Sequence, residues 1–184
     1  MENKDKVILH LCCGKTMSDS KPYSDAGYTV IGVGELIGVE NYYNIPKNVY
    51  GVIANVLCTH MSGSGARWWK DKDQDGRTLE HTKIITHCLR IIIQSKPKFW
   101  MIENPVGRLY KWLGDPVLRY QPCEYGDPYT KKTCLWGEFN LPKKNVVEPT
   151  DGSKMHLLAP SKDRSELRSI CSPGFAKAFF EANQ

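Results

Sequence analysis

The sequence predicts an α/β fold, a sheet of buried strands with helices on both faces, and three observations carry that expectation. Short apolar runs recur at Val7–Cys13, Tyr28–Val33, Val49–Ala54 and Phe99–Ile102, and continuous rather than alternating runs are typical of strands covered on both faces. Between the last two, Arg77 to Gln94 carries Leu79, Ile84, Ile85, Cys88, Leu89, Ile92 and Ile93 at helical spacing, with Glu80, Lys83, His87 and Arg90 largely elsewhere. Finally, the runs give way to polar or reactive residues at their carboxyl ends, the edge at which open α/β sheets bind ligands.

The 184 residues suit a single minimal domain spanning 1–184. A formal charge of +5 permits an acidic partner such as nucleic acid without requiring one. The seven cysteines are odd in number and irregularly spaced, with no apolar run of membrane-spanning length, which points to a reducing, cytoplasmic compartment and away from a membrane.

In chain order, the first run reaches Gly14 and turns. Gly14-Lys15-Thr16 superficially resembles a phosphate loop, but Leu9 stands where that pattern needs a glycine. Lys21 to Gly27 reads as a short helix closed by glycine, and Tyr28–Val33 completes a βαβ unit. In such a unit the first loop approaches a ligand, and an acid after the second strand accepts from a ribose hydroxyl; Glu35 is the nearest candidate. His10, Cys12 and Cys13 are not expected to bind metal, because adjacent strand residues point to opposite faces and no Cys-x-x-Cys pair exists.

The third run stops at Asn55, and Cys58 follows in a Gly- and Ser-rich loop that ends in Arg67-Trp68-Trp69. A thiol at that edge is a candidate nucleophile. His81 and His87 read as helix-surface residues, and the tryptophans as packing groups. The fourth run ends in Glu103-Asn104-Pro105, which places a carboxylate on the same rim as Cys58.

The order strand, Cys-Gly loop, strand, Cys58 loop, strand, Glu103-Asn104-Pro105 resembles the cytosine-5 DNA methyltransferases, in particular small phage- and bacteria-associated members. Glu103-Asn-Pro-Val-Gly-Arg-Leu, Tyr125-Gly-Asp-Pro-Tyr-Thr-Lys-Lys-Thr and Ser172-Pro-Gly-Phe are similar to motifs of that family. The resemblance implies a Rossmann-like methyltransferase sheet and S-adenosylmethionine as donor, held around Leu11, Cys13, Gly14, Thr16, Glu35, Asn55, Pro173 and Gly174. It implies Cys58 as the thiolate that adds to carbon 6 of the base, Glu103 as the acid at ring nitrogen 3 and Lys132 at the base carbonyl or a phosphate. Arg67, Arg108 and Lys131 become phosphate contacts to DNA or a nucleotide, whose base would flip out of a duplex to reach the thiol.

The chain departs from that pattern in places. His10 replaces an acid, Thr16 a glycine and Gly34 the acid that ends the second strand, while Val56-Leu57 replaces two prolines and so predicts a looser thiol loop. Residues 138–170 form a short basic loop region in place of a large target-recognition domain, which implies low sequence specificity, a protein partner that supplies it, or a small substrate. Two alternatives stay open: a catalytically inactive module that binds nucleic acid or a partner, and an enzyme that transfers a different group to a nucleotide.

Overall fold

The computed structural model describes residues 2–34 and 38–184. Its strands are β1 (Val7–Leu11), β2 (Thr29–Val33), β3 (Val49–Asn55), β4 (Phe99–Pro105), β5 (Leu118–Tyr120) and β6 (Thr133–Glu138). Its helices are α1 (Lys21–Asp25), α2 (Trp69–Gln74), α3 (Arg77–Ser95), α4 (Tyr110–Leu113), α5 (Lys154–Leu157), α6 (Arg164–Ser169) and α7 (Pro173–Ala182).

The strands join in one six-stranded sheet in the order β2-β1-β3-β4-β6-β5. Strands β1 to β4 are parallel, whereas β6 runs antiparallel to both β4 and β5. The chain leaves β1 toward β2 on one side and later returns to place β3 on the other. The β1/β3 boundary is therefore a topological switch point, where the loops diverge and leave a crevice.

Alternation along the strands builds two cores. On one face Val7, Leu9, Leu11, Val52, Ala54 and Ile102 meet Ile85, Cys88, Ile91 and Ile92 of α3. On the other, Ile8, Ile53, Phe99 and Met101 meet Tyr23 of α1 with Phe175 and Phe179 of α7. The predicted α/β class, with helices on both faces, is the class observed.

Three details differ from the sequence expectation. Strand β1 stops at Leu11 because Cys12 turns into the left-handed region at φ 53°. The buried stripe of α3 contains Thr78, His81, Ile85, Cys88, Ile91 and Ile92, while Leu79 and Ile93 are exposed. His81 is thus a core residue rather than a surface one; its two polar positions hid the 3–4 spacing of the true stripe. The 138–170 region is not wholly loop, since α5 and α6 lie within it.

Phe175 is buried and stacks on Tyr120 with centroids 3.9 Å apart. Phe175→Ala is expected to cost about 3–5 kcal/mol, measured as a lowered midpoint in urea unfolding.

Candidate active site

Polar residues collect where the α7-side face of the sheet reaches its carboxyl edge. Counting by twos from Ile8, Ile53 and Met101 gives His10, Asn55 and Glu103, so three neighbouring strands each present a polar side chain at the same end and on the same face. Asn55 and Glu103 are register partners.

Burial demands that these groups be satisfied, and a chain of hydrogen bonds does so. The Asn55 amide nitrogen donates to Asp19 Oδ2 at 3.1 Å, which leaves Asn55 Oδ1 to accept from His10 Nε2–H at 2.7 Å. In that tautomer the one Ser20 hydroxyl proton has two acceptors within reach, His10 Nδ1 at 2.8 Å and the Met17 carbonyl at 3.1 Å. His10, Asp19 and Ser20 are all buried. Desolvation holds the His10 pKa below its ordinary value, against the opposing pull of Asp19 and the Asn55 hydrogen bond.

Glu103 is half-buried and, among the described residues, its carboxyl has no hydrogen-bond partner. Desolvation raises its pKa to about 7; nearby Lys131 opposes the shift and Asp19 adds to it. A carboxylic acid that keeps its proton close to neutral pH can donate it to a basic ring nitrogen.

Cys58 is exposed on the loop after β3. Loss of solvation and the Glu103 carboxyl push its thiol pKa up, while Arg168 and Lys131 pull it down. Four ties hold the loop. Buried Asn104 donates to the Val56 carbonyl at 2.8 Å, Lys72 Nζ to Thr59 O at 2.6 Å, Arg108 Nε to His60 O at 3.1 Å, and the Gly63 amide to Val106 O at 2.9 Å. The absence of prolines at Val56-Leu57 therefore does not leave the thiol loop loose; side-chain hydrogen bonds restrain it.

The cations separate differently from the expectation. Arg108 is buried: NH1 binds both Asp73 oxygens, NH2 binds Thr78, and the guanidinium lies over Trp69 and Trp112. It is a structural clamp, not a phosphate contact. Lys131, not Lys132, is the lysine whose charge acts on both Cys58 and Glu103. Lys132 is exposed one residue before β6 begins. Arg67 is exposed and stacks on Trp68, and both Trp68 and Trp112 are exposed rather than packed in the core.

Around the β1 loop, Gly14 and Thr16 are exposed and Cys13 is half-buried. Leu11 is fully buried, so it offers a ligand no side chain. Among the described residues the amides of Gly14, Lys15 and Thr16 donate to no protein acceptor. The loop also presses on β2, since a Cβ on Gly34 would lie 2.7 Å from the Cys13 carbonyl. Asn55 is committed to His10 and Asp19. The Gly174 amide is committed to Asp127 at 2.8 Å, and a Cβ at Gly174 would meet the Tyr125 carbonyl; Pro173 has no N–H to offer. Glu35 lies outside the described residues. Loop amides with no acceptor among the described residues, beside a switch-point crevice, fit the carboxylate that a donor such as S-adenosylmethionine would present.

Comparison with protein-family models and with curated proteins finds no match. Among solved structures, the chain is similar to a provisionally assigned DNA modification methyltransferase encoded within an Escherichia coli prophage. The two share 16% identity at a TM-score of 0.45, over 86% of this chain and 49% of that one. The chain thus spans about half the length of the structure it matches.

Sequence reasoning missed Asp19 and Arg168 as site residues, and only their neighbours in three dimensions reveal them. Among the described residues no cluster of three or more metal-ligating side chains occurs, and no helix is long and apolar enough to cross a membrane.

The Glu103 pKa is higher in the folded chain than in the unfolded one, so the folded state binds the extra proton between about pH 4.5 and pH 7 and loses stability as pH rises through that window. Glu103→Gln is therefore expected to be more stable than wild type at pH 8, by up to about 3 kcal/mol, with the difference vanishing near pH 4. Urea unfolding across pH measures it. Arg108→Ala should cost about 3 kcal/mol at any pH near neutral, because it removes a buried guanidinium hydrogen-bonded through all three of its nitrogens.

Proposed function

We propose that the chain is a transferase that modifies carbon 5 of a cytosine or related pyrimidine, in DNA or in a nucleotide, through a covalent adduct to Cys58. The observation that carries this reading is the pairing of an accessible thiol with a carboxylic acid that stays protonated close to neutral pH, at the ends of adjacent parallel strands.

Carbon 5 of the ring is a weak nucleophile. Addition of the Cys58 thiolate to carbon 6 opens the 5,6 double bond, and the electron pair moves through the ring to nitrogen 3, which takes the Glu103 proton. Carbon 5 of the resulting enamine is then nucleophilic enough to attack an electrophilic methyl group. Nitrogen 3 then returns its proton to the Glu103 carboxylate, and loss of the carbon 5 proton to solvent water reforms the 5,6 double bond and expels the Cys58 thiolate. Lys131 and Arg168 favour the ionised thiol, and Lys131 also stabilises the Glu103 carboxylate once its proton has left. S-adenosylmethionine, when bound, supplies the methyl group on a sulfonium, and the exposed amides of Gly14, Lys15 and Thr16 would hold its charged amino-acid end.

The basic 138–170 region stands where a target-recognition domain would read base edges, so phosphate contact dominates over sequence reading. Exposed Arg67 and Lys132 add to that contact. A second reading, binding without catalysis, draws on one feature: the Gly174 amide at the start of α7 is already bonded within the protein.

Incubation with an oligonucleotide containing 5-fluorocytosine and S-adenosylmethionine is expected to leave a covalent complex in wild type, visible by denaturing electrophoresis, and none in Cys58→Ser. Glu103→Gln should slow adduct formation by about 10²- to 10⁴-fold. An undiminished adduct in Cys58→Ser would refute the mechanism, and no adduct in wild type with DNA, RNA or a mononucleotide would favour the inactive module.

A further inference from the structure

The two cysteines that follow β1 part company. Leu9 and Leu11 face α3, so strict alternation would carry Cys12 to the opposite face with Ile8. Its left-handed backbone, φ 53°, breaks the alternation and returns the side chain to the α3 face. There Cys12 Sγ meets Cys88 Sγ at 3.8 Å, across 76 positions of sequence. Cys13 goes the other way, toward β2, where a Cβ on Gly32 would lie 2.9 Å from its sulfur. Cys12 and Cys88 are both free thiols, the first half-buried and the second fully buried.

A non-glycine residue in the left-handed region is conformationally costly, and such strain gathers at functional sites. Here it sets the first residue of the β1 loop, sulfur first, against the long helix. A disulfide holds its sulfurs about 2.0 Å apart, so closure would draw them together by about 1.8 Å from the 3.8 Å of the free thiols. Helix α3 is fixed in the core through Ile85, Ile91 and Ile92, whereas the loop beyond Cys12 is exposed at Gly14, Lys15 and Thr16. The loop, not the helix, is therefore the part that gives way. Its movement is toward α3 and away from the face that carries His10, Asn55 and Glu103.

We propose that Cys12 and Cys88 form a reversible disulfide on exposure to a hydroperoxide, and that its closure draws the β1 loop toward α3 and weakens ligand binding by the amides of Gly14 to Thr16. Bond formation is independent of the function proposed above; the effect on a donor ligand rests on it. The Cys12 contact and burial push the Cys88 thiol pKa well up, so Cys88 keeps its proton and the more accessible Cys12 meets the oxidant. With hydrogen peroxide, the Cys12 sulfur attacks one oxygen, the O–O bond breaks, and the departing hydroxide combines with the Cys12 proton as water. The Cys88 sulfur then attacks the Cys12 sulfenic acid, and the expelled hydroxyl leaves as water with the Cys88 proton. Two thiols are oxidised to one disulfide while one peroxide is reduced to two waters. A dithiol reverses the bond by exchange.

The folded wild-type chain is treated with hydrogen peroxide, quenched with iodoacetamide and digested without reductant. Mass spectrometry is expected to find tryptic peptides 7–15 and 84–90 joined through Cys12 and Cys88, lighter by two hydrogens than the free pair and separated by dithiothreitol. Brief trypsin treatment of the native protein should nick the oxidised form after exposed Lys15 more slowly than the reduced form. In calorimetric titration, S-adenosylhomocysteine should bind the oxidised form at least about fivefold more weakly, the lower end of ordinary coupling between sites. Cys88→Ala, confirmed as folded by thermal melting, should abolish the cross-link and both differences. Peroxide that leaves Cys12 and Cys88 open to alkylation, that oxidises Cys12 without a cross-link, or that joins Cys13 to Cys88 instead overturns the pair. A cross-link that changes neither nicking nor affinity overturns the loop movement. Should neither form bind the ligand, the donor reading fails on its own; slowed nicking then upholds the loop movement and equal nicking overturns it.

Discussion

The carboxamide of Asn55 is the joint on which the carboxyl edge depends. It has one oxygen and one nitrogen to offer, and each is committed in a different direction, to His10 on the neighbouring strand and to Asp19 on the β1 loop. The orientation of the amide determines which histidine nitrogen carries the proton, and so which one is left to meet the Ser20 hydroxyl. His10, Asp19 and Ser20 are buried and Asn55 is half-buried, so a reversal at one position would leave a donor facing a donor with little water to relieve it. The network also stations the Asp19 carboxylate near Glu103, and the acidity of that residue is therefore set partly by a loop it never touches through its own hydrogen bonds.

Much of the fold was legible because apolar runs report burial directly. The parallel strands and the long helix each follow from local pattern. The direction of β6 does not, because Cys134, Leu135 and Trp136 would read the same in either orientation; what reverses the strand is a return from β5 without a crossover helix. At the site, the positions of Cys58 and Glu103 were readable as strand ends. The difference between Lys131 and Lys132 was not, since both precede the first residue of β6 and no alternation yet applies. Arg108 was expected as a phosphate contact. Its burial depends on Asp73, Thr78, Trp69 and Trp112, which come together only in the folded chain.

The loop that carries Cys58 illustrates two ways of making a backbone hold its shape. Prolines restrict φ covalently and act in the unfolded chain as well. Val56 and Leu57 impose no such restriction, and the restraint comes instead from Asn104, Lys72 and Arg108, all contributed by other elements. Order at the thiol is consequently a property of the tertiary fold, coupled to the packing of α2 and of the chain after β4. The same residues that stabilise the molecule hold the reactive group in place.

The position of α7 at the far end of the chain bears on how the molecule is made. Phe175 and Phe179 cover a sheet face built from residues as early as Ile8, so that face, though partly covered by Tyr23 of α1, is completed only when a segment more than 150 residues later in the sequence has been made. The other face can close sooner, once α3 and β4 exist. Before α7 is in place this face is covered only in part, and long-range pairings of this kind form slowly. The pairing of the two ends of the sequence, rather than any local pattern, therefore sets when this face closes.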